Sequence, residues 1–277
     1  MLRVVVWNVQ RFWGSDKSSL VAGVCGELRR LRPQVVVLNE VEARPGLLDA
    51  VREAVGGDVV FFGHAMGGRY GNLVAAQRPL VVTEVHKVHL AGGSHLELPP
   101  GSGRLHRVAR GLVVCEVSGP GLAQPFCVAA THLDHVCGEQ RRDQMRHALD
   151  EVASLGRPML LCGDLNALSR ADYSDEHWAG LERRHAARGW AAPRDDDCLH
   201  MLRDRGFLDA FLHGRRAEQP HLYTAHVGEP IYRIDYCWAD ALFLRSFAVR
   251  GAWVNVDAAH SDHYPLVADF EPLRARA

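Results

Sequence analysis

Met159-Leu160-Leu161-Cys162-Gly163-Asp164-Leu165-Asn166 passes from apolar to polar within one short stretch. Its first four residues read as a brief buried strand. Gly163 lets the chain turn tightly. Asp164 and Asn166, two apart in extended chain, then share a face. An Asx turn is the plain alternative for that pair. Just upstream, residues from about Glu139 to Leu155 place Met145, Ala148, Leu149, Val152 and Leu155 at helical spacing, and Gly156 and Pro158 end the run. Before that helix, Phe126 to Thr131 reads as a strand with His132 at its end.

The same pattern opens the chain. Leu2 to Trp7 is a short β-rich run with Asn8 behind it, and Ser18 or Ser19 is placed to cap a helix through Leu20, Val21, Val24, Leu28 and Leu31. Pro33 stops that helix. Val35 to Leu38 forms a second buried strand, with Glu40 just past its end. Glu40 suits either a ligand or a helix-capping acid. Leu47, Leu48, Val51 and Val55 after Pro45 predict a second helix, closed by Gly56-Gly57. Strand and helix in alternation is α/β grammar. The middle differs: Val59 to Phe62, Leu73 to Ala76, Leu80 to Val88 and Gly111 to Val117 read as successive strands, which predicts antiparallel pairing within a mixed sheet. A helix over Cys198 to Arg205 and strands over Tyr232 to Ala239 and Pro265 to Phe270 complete the reading.

The residues suited to chemistry run from Asn8 to His263, with no linker or repeat between them, so the 277 residues are expected to form one domain; a monomer is expected. A net charge of −1, with 32 Lys+Arg against 33 Asp+Glu, gives no support for nucleic-acid binding by overall charge. Arg104, Arg107 and Arg110, with His106 among them, form a loose basic cluster that reads as a solvated loop, or as a substrate-facing patch. Seven cysteines without a CxxC pair read as reduced thiols. The N-terminus enters a strand at once and no apolar run has membrane-spanning length, so an intracellular protein with no membrane contact is expected.

Oxygen-rich sets of Asp, Glu and Asn suit a hard divalent cation, and histidines suit proton transfer and phosphate contact. Asp235, between Ile234 and Tyr236, needs a buried partner, and His263 of Ser261-Asp262-His263 is the one expected. The spacing His132-Leu133-Asp134-His135 does not match the helical His pair of zinc proteases.

Taken in order, six segments resemble the endonuclease/exonuclease/phosphatase family, the deoxyribonuclease I-like fold. They are Trp7-Asn8, Glu40, Thr131-His132-Leu133, Gly163 to Asn166, Arg233-Ile234-Asp235-Tyr236 and Ser261-Asp262-His263. Tyr70-Gly71-Asn72 and the Arg141/Gln144 pair also match, whereas Ala76-Gln77-Arg78-Pro79 departs from the family's Ser-Arg-x-Pro. The resemblance implies a four-layer α/β sandwich, two mixed β-sheets face to face with helices outside. It implies Mg²⁺ or Mn²⁺ held by Asn8, Glu40 and Asp262. It implies catalytic roles for His132, Asp164, Asn166, Asp235 and His263, and substrate contacts for Tyr70, Asn72 and Arg141. The branch of DNA-end phosphodiesterases and deadenylases has the nearest motifs. The expected activity is metal-dependent phosphodiester hydrolysis on nucleic acid. A phosphatase or lipid phosphodiesterase acting on a small head group is the alternative, and a catalytically dead binding module on the same fold is a third reading.

Overall fold

In a computed structural model the described residues are 1–14, 16–97, 101–188, 190–215, 222–258 and 260–273. In chain order the elements begin β1 (Leu2–Asn8), α1 (Val21–Leu31), β2 (Val35–Glu42), α2 (Leu47–Val55), β3 (Gly57–Ala65), β4 (Tyr70–Gln77) and β5 (Val81–His89). A small hairpin, β6 (His95–Glu97) and β7 (Leu105–Arg107), precedes β8 (Gly111–Ser118), β9 (Phe126–Thr131), α3 (Gly138–Ala153) and β10 (Met159–Asp164). The chain continues with α4 (Asp175–Ala187), α5 (Asp197–Asp204), β11 (Leu208–Asp209), α6 (Ala210–Gly214), β12 (Asp235–Ala239), β13 (Phe247–Val254) and β14 (Leu266–Pro272).

Twelve of these strands build two six-stranded mixed sheets, ordered β13-β14-β1-β2-β4-β3 and β11-β12-β10-β9-β8-β5. Alternation along each strand decides what each sheet covers. Val4, Val6, Val35 and Val37 of the first sheet meet Val128, Ala130, Leu160 and Cys162 of the second in one core. The opposite faces pack on helices: Val5, Trp7, Val36 and Leu38 against α1 and α2, and Cys127, Ala129 and Leu161 against α3 and α5. The result is the expected four-layer α/β sandwich.

The pairing brings the polar strand ends to one rim. β1 and β2 run parallel, as do β9 and β10, so all four finish on the same side. β12 and β14 run antiparallel to β10 and β1, so they start where those strands end; Asp164 faces Asp235 across the ladder.

Several local expectations change. Neither Ser18 nor Ser19 caps α1: its N-cap is Leu20, with no side-chain bond, and Ser19 bridges Trp13. Tyr232 lies outside β12, in an isolated bridge with Ala225. β13, α4 and the β6–β7 hairpin were not anticipated. α4 buries only Trp178 and Leu181, too narrow a stripe to show as a helical period, although Ser174 caps it by accepting the His177 N–H at 3.2 Å. The cluster read as a solvated loop or a substrate-facing patch is in part strand β7, and His106, Arg107 and Arg110 of it line a cavity.

Candidate active site

Alternation also aims the chemistry. Asn8 continues the face of Val4 and Val6, Asn39 that of Val35 and Val37, and Asp164 that of Leu160 and Cys162. All three therefore point between the sheets, and all are buried. Glu40 is out of step by one residue and would face α1 and α2. A β-bulge between Leu38 and Val41, with Glu40 at φ 57°, turns its side chain into the cavity instead.

Asp164 stands at the centre. Its Oδ2 accepts the Asn8 amide at 2.9 Å, and the same Asn8 Nδ2 lies 3.3 Å from Glu40 Oε1. Its Oδ1 accepts the Asn166 backbone N–H at 2.9 Å, an Asx turn that fixes the carboxylate plane. Asn166 adopts φ 49°, in the left-handed region. His132 Nε2 and His263 Nε2 lie 3.6 and 3.9 Å from Asp164 Oδ2. Burial raises the Asp164 carboxyl well above the ordinary range, and the nearby Asp235 charge adds to the rise.

His263 is held from behind. Its Nδ1 meets Asp235 Oδ2 at 2.8 Å, and its carbonyl accepts the Trp7 indole N–H at 2.8 Å. Burial alone would push this imidazole down; the Asp235 carboxylate outweighs it and carries the group up to about 10. It is therefore imidazolium at neutral pH. Asp235 Oδ1 is buried with no hydrogen-bond partner among the described residues. Arg233 secures the start of β12 by pairing with Asp172 at 2.7 Å and Asp209 at 2.9 Å.

His132 has the opposite character. Burial first, and the Arg110 charge second, push it well below its usual range, so it is neutral. Its Nε2 contacts Asn166 Nδ2 at 3.0 Å, and that amide also donates to the Leu133 carbonyl at 3.1 Å. With the amide orientation fixed in this way, Nε2 accepts. His132 thus orients Asn166 in this geometry, and it does not offer an Nε2 proton.

Two carboxylates, Glu40 and Asp164, converge on one amide nitrogen, and the latter is buried. This convergence of hard oxygen donors fits a divalent cation. Glu40 and Asn8 are placed to hold it, with Asp164 adjacent. A separate grouping of Asp164, Asp235 and His263 brings ligand atoms within 4.8 Å of one another, though His263 is committed to Asp235. Asp262, expected as a ligand, does not line the cavity, and its Oδ1 accepts the Ser261 hydroxyl at 3.3 Å.

The substrate-contact expectations divide. Tyr70 lines the cavity, whose volume is about 430 Å³. Asn72 lies beneath it, fully buried, joining Asn39 at 2.9 Å to the Gly111 carbonyl at 2.8 Å. Arg141 is elsewhere: its guanidinium is bound to Asp196 at 2.7 Å and to the Asp134 carbonyl at 3.1 Å. Asn39 went unassigned in the sequence. It accepts the Asp164 N–H at 2.8 Å and donates to the Thr131 carbonyl at 3.0 Å, stitching the first sheet to the second directly under the site. Its signal was available, because Asn39 and not Glu40 keeps step with Val35 and Val37. Arg11, Arg110 and His135 also line the cavity.

A sequence model of the Endonuclease/Exonuclease/phosphatase family matches residues 5–263. The chain belongs to that family and is a phosphoester hydrolase of its type. No curated protein matches it by sequence. Similar solved structures include an endonuclease/exonuclease/phosphatase from Bacteroides vulgatus, at 18% identity and TM-score 0.70, covering 98% of this chain and 99% of that one. The human nocturnin catalytic domain with bound sulfate is 16% identical with TM-score 0.69, covering 98% and 93%. A Bacteroides thetaiotaomicron mannosyl-6-phosphatase is 17% identical with TM-score 0.68, covering 98% and 100%.

Proposed function

We propose that the protein is a divalent-metal-dependent phosphodiesterase acting on nucleic acid or a nucleotide-like phosphoester. The observation that carries this reading is the setting of Asp164. It is a buried carboxylate with a raised pKa, oriented by Asn8 and Asn166 and flanked by one charged and one neutral imidazole. Asp164 takes a proton from the attacking water, Asn166 positions that water, and His263 binds the phosphate oxygens as imidazolium. Glu40 and Asn8 would hold Mg²⁺ or Mn²⁺, which would supply charge neutralisation at the phosphate.

A second reading, hydrolysis of a small phosphorylated head group, is favoured by the cavity itself. Leu96, His106 and Arg107 of the β6–β7 hairpin wall it, and about 430 Å³ suits one or two small units better than a duplex. The similarity to a structure named as a mannosyl-6-phosphatase supports the same reading. The test is hydrolysis of single-stranded DNA, duplex DNA, RNA and small phosphoesters with Mg²⁺, Mn²⁺ or EDTA, beside Asp164→Asn. Metal-dependent cleavage of a nucleic acid, lost in the variant, supports the first reading. Turnover of small phosphoesters alone supports the second. No metal-dependent turnover of any of them would overturn both.

A further inference from the structure

Two arginines are buried among the described residues, and they are treated differently. Arg233 is clamped by Asp172 and Asp209. Arg110, only 5% exposed, forms no ion pair among the described residues. Its Nε donates to the Leu133 carbonyl at 3.0 Å and its Nη2 contacts His135 Nδ1 at 3.2 Å, both uncharged partners. A buried guanidinium without a counter-ion is strongly disfavoured. Arg110 lines the cavity, so a bound anion is the group that would compensate it.

His135 belongs to the same device. A guanidinium only donates, so the His135 Nδ1 it contacts must accept. The ring proton then sits on Nε2. Burial and the Arg110 charge hold this imidazole below its ordinary range, so it stays neutral and keeps that one donor. The residue as a whole is open to solvent at one side and also lines the cavity. Arg110 and His135 thus offer N–H donors, one positive charge and no acceptor.

Their position relative to the hydrolytic centre is fixed by one atom. The Leu133 carbonyl accepts both Arg110 Nε at 3.0 Å and Asn166 Nδ2 at 3.1 Å. The donor pair therefore stands one carbonyl away from Asn166. Arg11 lines the same cavity, its guanidinium 5.5 Å from the Tyr70 ring, on a turn where Gln10, Arg11 and Phe12 have φ of 44°, 59° and 61°. Three successive non-glycine residues in that region are strained, a feature that gathers at ligand sites.

We propose that Arg110 and His135 form a second anion subsite beside the hydrolytic centre, which takes a phosphate of the substrate other than the one hydrolysed. This rests on the phosphoesterase reading above and sharpens it: the substrate carries two neighbouring phosphate groups, as a nucleotide unit with phosphates at both ends does.

The test pairs p-nitrophenyl thymidine 5′-phosphate with the same ester bearing a 3′-phosphate. Wild type should show kcat/KM about tenfold higher for the 3′-phosphorylated ester, the scale of one charge-assisted contact. Arg110→Gln and His135→Ala should each bring that ratio close to one. The second variant alters a solvent-accessible residue and leaves the fold intact should Arg110→Gln unfold. Binding of inorganic phosphate to metal-free protein, followed by calorimetry in EDTA, should weaken at least tenfold in both variants. Equal rates on the two esters in wild type would overturn the subsite. So would equal losses on both esters that leave the ratio unchanged, because the pair would then act at the scissile group. If neither ester is hydrolysed but phosphate binding depends on Arg110 and His135, the subsite stands and the hydrolytic reading falls.

Discussion

Asp164 and His263 are held in unusual charge states by opposite means, and each gives a pH signature. The folded Asp164 carboxyl titrates above its ordinary value near 3.8, because burial disfavours its charge. Below the unfolded value this group is neutral in both states and contributes nothing. As pH rises above it, the folded state must either keep the proton or bury a charge, and stability falls until the folded pKa is passed. Asp164→Asn removes that burden. Without metal it should melt about 2–4 °C above wild type at pH 8, equivalent to about 1 kcal/mol, with no gain at pH 3. The same substitution should lower turnover by about 10³-fold or more. A variant that melts lower and still turns over would contradict the role. His263 has the reverse sign: its pKa is raised to about 10, so Asp235 stabilises the fold fully below the free imidazole value and loses that effect as pH climbs through about 10. Asp235→Asn should move the alkaline limb of the rate profile down toward about 6.5. A limb that stays put would show that another group sets it.

The elements carry a different kind of constraint, in which local strain positions the site. Glu40 sits at φ 57° on the β2 bulge. Left-handed backbone at a residue with a Cβ costs roughly 1–2 kcal/mol. Glu40→Gly should therefore raise thermal stability by up to about 1 kcal/mol while abolishing metal-dependent turnover, since the carboxylate is gone. A stability loss would place the strain elsewhere. Gly163, at φ 141°, answers to sterics: a Cβ there would lie 1.8 Å from the Thr131 carbonyl oxygen, so no side chain fits without parting β9 from β10. This residue, with Asp164 and Asn166, was legible because apolar run, glycine and spaced polar residues all lie in one short stretch. That Asp235 has a buried partner was legible from burial reasoning, since an acid between Ile234 and Tyr236 needs one, and His263 was the partner expected. What escaped the sequence depends on contacts between distant segments. Asn39 looks like a strand end until the second sheet supplies Thr131 and Asp164. Arg141 looks like a substrate residue until Asp196 is found beside it. The β6–β7 hairpin reads as loop because His95, Leu105, His106 and Arg107 are exposed and show no alternation.

At the scale of the whole molecule, each sheet supplies half of the site: Asn8 and Glu40 from one, His132, Asp164 and Asp235 from the other. A cation that satisfies these carboxylates also joins the two halves, so metal binding should add directly to stability. At about a hundred times its Kd a ligand contributes roughly 2.7 kcal/mol, and Mg²⁺ or Mn²⁺ should raise the Tm by about 5–10 °C. EDTA should reverse the shift and Glu40→Gln should remove most of it. An unshifted wild type would argue against a cation at this rim. Overall charge then bears on the substrate. With 32 basic against 33 acidic residues, overall charge gives no support for attraction of a polyanion, and Arg11, Arg107 and Arg110 line the cavity. A duplex bound through many backbone phosphates would show log affinity falling with log salt at a slope of about 0.9 per phosphate neutralised. A substrate engaged only inside the cavity touches one or two phosphates. Measured as log(kcat/KM) against log salt, the slope should therefore lie near −1 to −2. A slope near −6 or steeper would mean that a basic surface outside the cavity grips nucleic acid, and the cavity-sized substrate would have to be abandoned.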